Sequence, residues 1–234
     1  MSDKKLPEKS SAKTVAAFLQ KAASTPPART GAASKNRGRL IFALDATASR
    51  EASWDRASHL QAEMFQSTSQ LGGLDIQLCY YRGFGEFHPT PWLADSRQLL
   101  REMTTVHCLA GHTQIGKLLQ HALRETRKQK VNAVVFIGDC VEENIDSLGQ
   151  LAGQLGLLGV PLFLFHEGHD ANAAHAFRHL AELSGGAYCP FDAGSAQQLR
   201  DLLAAVAVFA VGGHSALTDF HRRHGSTLLK LTRR

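Results

Sequence analysis

Long hydrophobic runs are missing from this sequence: nothing approaches the ~18 consecutive apolar residues that a membrane span needs. The longest candidates, Leu155–Phe165 and Leu202–Val211, are short, and Gly and Pro interrupt the first. The N-terminal stretch MSDKKLPEKSSAK lacks the apolar core of a secretory signal, so a cytoplasmic location is expected. Cysteine is scarce and scattered. Cys79, Cys108, Cys140 and Cys189 form no C-x-x-C pair, which excludes a disulfide scaffold and fits reduced thiols. Glycine (20) and proline (7) are too few for a collagen-like or low-complexity chain. Nucleotide and hydrolase signatures are absent too: no G-x-x-x-x-G-K-[ST], no G-x-S-x-G and no glycine-rich Rossmann turn after a strand.

What remains is the composition of a globular protein, 234 residues with 44% hydrophobic and 20% charged, suited to one large domain with tails. The net charge of +5 is uneven. Residues 1–39 carry +7, residues 214–234 carry +4, and the body between them carries −6. A basic end can meet nucleic acid, anionic lipid or an acidic partner. The plainer reading is a solubilising tail, since no run of aromatics alternates with the basic residues for base stacking. Nucleic acid is therefore not the expected partner.

Residues 1–38 are polar, basic and rich in Ala, Ser, Thr and Pro, a composition that buries too little apolar surface to offset its ordering entropy. Within them, Val15, Phe18 and Leu19 share one face of a short helix over Lys13–Ala23, able to dock on the domain or a partner. From Arg39 the pattern changes. RLIFALD and VNAVVFIGD (131–139) read as buried strands, each ending in aspartate. LDIQLCYYRG (74–83) alternates like a strand, with Phe84–His88 as a short edge strand, and Val160–Phe165 and Ala187–Phe191 as two more. Between them fall helical patterns over 51–70 (closed by Gly72-Gly73), 95–103, 114–128, 145–158, 171–184 and 195–210. The alternation predicts an α/β fold: a doubly wound, mostly parallel central sheet with helices on both faces, over residues 39–211. Residues 212–234 form a basic extension with a Gly225 stop.

Ligands of such sheets sit beyond the carboxyl ends of the strands, where the winding reverses. Asp45 and Asp139 end two strands there. Asp45 opens D-A-T-A-S, with hydroxyls at Thr47 and Ser49, and Thr113 lies in a Gly-His-Thr loop before the clearest helix. Two carboxylates and three hydroxyls, without a soft ligand, suit a hard divalent cation with a position left open. Taken singly, the same residues serve equally as helix caps or turn formers.

At these positions the sequence resembles the von Willebrand factor A (VWA) family, in its intracellular bacterial branch. The family's metal-ion-dependent adhesion site (MIDAS) uses D-x-S/T-x-S after the first strand, a Thr in a later loop and an Asp after the fourth strand. The resemblance spans roughly residues 39–210 and implies that Thr47, Ser49 and Thr113 give hydroxyls to Mg²⁺ or Mn²⁺. It implies also that Asp45 and Asp139 hold the ion directly or through water. Thr47 stands where Ser is commoner, and Cys140 where Gly is common. The implied function is that of a binding module engaging an exposed Asp or Glu of a partner protein through the cation, with no catalytic residue assigned.

Two other classes compete. A metal-dependent hydrolase or phosphoryl-transfer enzyme would use Asp45 in a D-x-D pair, but position 47 is Thr, so the acid/base carboxylate is missing. A scaffold would bind through its basic termini and leave the cation site idle. Elsewhere, His107, Cys108 and His112 crowd one loop without a fourth zinc ligand in sequence. Glu142 and Glu143 read by default as a solvated acidic loop, with modulation of the cation site's charge as the alternative, and Arg82 reads equally as a guide for an acidic ligand or as a strand-end salt-bridge partner.

Overall fold

The computed structural model describes residues 17–18, 21, 37–48, 51–60, 62–68, 71–191 and 196–230. The two expected aspartate-ended strands form its centre. Strand β1 (Gly38–Asp45) is buried along its whole length. Leu40, Phe42 and Leu44 face one apolar cluster, while Ile41 and Ala43 face a second. An unbroken apolar run is what a strand covered on both sides requires. The neighbours are β2 (Leu74–Arg82), β3 (Glu86–Pro89), β4 (Ala133–Gly138), β5 (Leu162–Glu167) and β6 (Ala187–Phe191), in the spatial order β3-β2-β1-β4-β5-β6. Every pairing is parallel except β2–β3.

Helices cover both faces. Against the first cluster lie α1 (Glu51–Leu60), α2 (Ala62–Thr68), α3 (Ser96–Thr104) and α7 (Ala196–Lys230). Against the second lie α4 (Ile115–Lys128), α5 (Ile145–Leu157) and α6 (Ala171–Leu183). The chain winds from β1 outward to β2 and β3, then crosses to β4 on the other side of β1. The doubly wound α/β architecture expected from the alternation is therefore the observed one, with its switch point between β1 and β4.

Two elements differ from the sequence pattern. The last helical stretch breaks at Gly213 (φ 62°, ψ −150°), close to the expected end near 210, but a second helical segment follows and runs through Gly225 to Lys230. Leu217 beyond the break is buried in the first cluster, so packing carries the chain on. The edge strand starts at Glu86, because Gly83 (φ 57°) and Gly85 (φ 118°) form a turn around Phe84.

Most of residues 1–38 lies outside the described residues, including Val15 and Leu19. Phe18 is described, and it is buried in edge-to-face contact with Phe163 and Phe165 of β5. None of the four cysteines is in a disulfide, and Cys79 and Cys189 are buried. Among the described residues, no helix is long and apolar enough to cross a membrane.

Candidate metal centre

Because β1 and β4 are neighbours, their carboxyl ends bring the two aspartates to one place. Leu44 pairs with Ile137, so Asp45 and Asp139 follow one and two residues past that pair. Asp45 is only 2% exposed. Its Oδ1 accepts the Thr47 backbone N–H at 2.8 Å, and its Oδ2 accepts the Tyr81 hydroxyl at 3.2 Å. Thr47 therefore sits in a turn folded back on Asp45. Asp139 is partly buried, and its carbonyl accepts from Nε2 of the buried His166 at 3.3 Å. Ser49 lies outside the described residues.

Thr113 reaches the site from the loop before α4 and is 7% exposed. Its Oγ1 accepts the Glu142 backbone N–H at 3.0 Å, while its own N–H donates to Glu142 Oε2 at 2.8 Å. These reciprocal bonds fasten the Thr113 loop to the loop that carries Asp139. The adjacent Glu143 does the same for α4. That helix has no side-chain cap of its own, and the Glu143 carboxylate accepts the Ile115 and Gly116 N–H groups, each at 2.7 Å. Two orphan donors and the positive end of the helix dipole are met by a residue 28 positions away. Glu142 and Glu143 are thus structural fasteners of the site, which corrects their reading as a merely solvated acidic loop.

The electrostatics are those of a carboxylate-lined crevice. Burial, then the charges of Asp45 and Glu143, a hydrogen bond to Asp45 and the charge of Asp139 push the Tyr81 phenol well above its ordinary pKa. Burial first, then Glu142, Asp139 and Asp170, raises the Cys140 thiol, which keeps it protonated and a poor nucleophile. Tyr81 is the site residue that sequence reasoning missed, and for the two glutamates it missed the hydrogen bonds they make. The alternation of β2 put Tyr81 in a strand, but only its register opposite Asp45 reveals the contact.

Among the described residues no three His, Cys, Asp or Glu side chains gather into a metal cage. His107, Cys108 and His112 thus form no zinc site; the His112 ring instead lies 3.2 Å from Glu142. The stretch Gly111–Lys117 approaches a phosphate-loop pattern, but Leu118 stands where a hydroxyl would hold a cation. Lys117 also turns aside to the Gly85 carbonyl. What remains at the switch point is an oxygen donor set, two carboxylates with the Thr47 and Thr113 hydroxyls. Such a set fits a hard divalent cation.

No protein-family model and no curated protein sequence matches this chain. Solved structures do. The VWA domain of SpRpn10 superposes with a TM-score of 0.57 at 16% identity, over 72% of this chain and 94% of that one. The chain has the VWA fold. An aerotolerance-related membrane protein from Bacteroides fragilis is similar to it with a TM-score of 0.54 at 16% identity, over 71% of this chain and 98% of that one. Proximal thread matrix protein 1 of the mussel byssus, solved with zinc in its MIDAS motif, gives 0.56 at 14% identity. That match covers 74% of this chain and 46% of the mussel protein. A VWA fold can therefore hold a metal.

Proposed function

We propose that this chain is a divalent-cation-dependent protein-binding module. Asp45, Thr47, Ser49, Thr113 and Asp139 hold Mg²⁺ or Mn²⁺, and an exposed Asp or Glu of a partner protein completes the shell. The observation that carries this reading is the meeting of Asp45 and Asp139 at the switch point of a VWA sheet, beside Thr113. Two carboxylates balance the ion's double charge and the hydroxyls are weak neutral donors, so the shell is incomplete and its open coordination position takes a carboxylate oxygen from outside. Reduced dielectric in the crevice strengthens that interaction, and the surrounding loops supply selectivity. The zinc-bearing site of the mussel protein supports the metal, although the all-oxygen set here favours Mg²⁺ or Mn²⁺ over zinc. The domain proper covers 39–211, with basic segments at either end, and works in the cytoplasm without catalysis.

Isothermal calorimetry with MgCl₂ and MnCl₂ tests the assignment. The wild-type chain is expected to bind one ion with modest affinity, and Asp139→Ala to lose most of it because one of two charged ligands is gone. Thr113→Ala should retain more affinity, since it deletes a neutral donor. Equal affinity in wild type and Asp139→Ala refutes the site.

A further inference from the structure

The described part of the N-terminal segment has the two faces of a docked helix. Ala17, Phe18 and Lys21 are helical; Ala17 and Lys21 are exposed, whereas Phe18 is 2% exposed. The Phe18 ring meets Phe163 at 5.8 Å and Phe165 at 5.5 Å, edge to face, on β5. Phe163 meets Phe209 of α7 in the same way at 5.3 Å. Ala205, Val206 and Leu217 of α7 also line the space around Phe18. Leu217 lies past the Gly213 break, so β5 and both limbs of α7 wall one apolar groove, with Phe18 inserted between them. In the sequence, Val15 and Leu19 share the helical face of Phe18.

The connection to the domain gives the segment no grip of its own. Between Lys21 and Arg37 the sequence has no Val, Leu, Ile, Met or aromatic residue. Its far end is pinned, because Arg37 Nε donates to Asp75 Oδ1 and Arg37 Nη2 to the Leu74 and Ala94 carbonyls. From there the groove is near. Strand β5 lies two strands from β1, and Phe163 is level with Phe42 through Val135. At usual strand dimensions that is about 10 Å sideways and about 13 Å along from Gly38. A flexible chain as long as that from Phe18 to Arg37 has a mean reach of roughly 24 Å, so the tether closes without tension. Such a tether gives an effective concentration on the order of millimolar, and the segment docks on its own domain before that of a second copy.

We propose that the groove between β5 and α7 is a helix-docking site whose resident occupant is residues 13–23 of the same chain, a strap that detaches and returns without unfolding the domain. Val15 and Leu19 enter the groove with Phe18, and detachment uncovers the apolar wall. The strap is independent of the cation reading.

The test uses the full-length chain with a site-specific protease sequence in place of residues 28–34 and a fluorophore on its N-terminal amine. Once cut, the segment is held only by its own affinity, and the diffusion coefficient of the label reports whether it is bound. Dilution is expected to release it and concentration to restore it, with the circular dichroism of the domain unchanged. An unlabelled peptide of residues 11–24 should displace it. The same peptide carrying Phe18→Ala should need at least ~10-fold more, the loss expected of an aromatic anchor. Free diffusion at every concentration, or equal competition by the two peptides, would overturn the docking site. A segment that leaves only when the domain unfolds, or a domain that unfolds on cutting, would make residues 13–23 an integral part of the core and overturn the strap.

Discussion

Asp45 shows how a buried charge is made tolerable. An ionised carboxylate at 2% exposure needs donors, and it takes one from the Thr47 backbone and one from Tyr81. The phenol in turn is held protonated by the same burial and negative surroundings, so it remains a donor at any pH the fold survives. Tyr81→Phe removes that donor and little else. The expected cost is about 1.5–3 kcal/mol of unfolding free energy, the range for a hydrogen bond to a charged group. Urea denaturation of the metal-free protein reads it, and an unchanged midpoint would show that Tyr81 does not hold Asp45. The sequence alone makes Asp45 legible because a carboxylate after an apolar strand is conspicuous. Tyr81 is not legible, because Y-Y at a strand end leaves open which ring points inward.

Helix α4 is the element on which the site leans, and its two ends differ in how they were readable. Its body follows from Ile115, Leu118, Leu119, Ala122 and Leu123, all buried on one face. Helices α3, α5 and α6 carry local caps in Asp95, Asn144 and Asp170, of the residue types that sequence rules anticipate. Helix α4 has Gln114 at that position and borrows Glu143 from the β4–α5 loop. No spacing rule reaches across that distance, so the cap emerges only when the strands are ordered. The same long-range logic holds the segment after the break at Gly213 against the domain, through the buried Leu217. Glu143→Gln keeps an acceptor and removes the charge that meets the helix dipole. It should destabilise the fold by about 1 kcal/mol, and amide exchange at Ile115 and Gly116 should quicken more than in the middle of α4. Uniform exchange along the helix would count against the cap.

At the scale of the molecule, the βα alternation was enough to read the sheet, and the sheet explains why residues 94 positions apart cooperate: β4 returns to lie beside β1. The edge strand and the apolar face that carries Phe18 were legible too, but that Phe18 packs on Phe163 and Phe165 of β5 depends on a contact no local pattern encodes. The layers are also joined by polar groups far from the candidate centre. On α4, His121 is 7% exposed, and its Nε2 lies 2.8 Å from Gln77 Oε1 of β2, while Gln77 Nε2 donates to the Thr90 carbonyl. That geometry makes Nε2 the protonated nitrogen of a neutral ring. Burial lowers the His121 pKa, with Arg124 and Lys128 adding and Glu125 opposing. In the unfolded chain the ring takes a proton near pH 6.5, whereas in the fold it resists until lower pH. The unfolded state therefore binds more protons in that window, and stability must fall as pH drops through it. Above about pH 6.5 this contribution is fully present. Urea midpoints measured from pH 7.5 downward should decline first in this range, before carboxylates titrate, and His121→Gln should flatten that first decline. A variant that declines as steeply as wild type would assign the loss to another group.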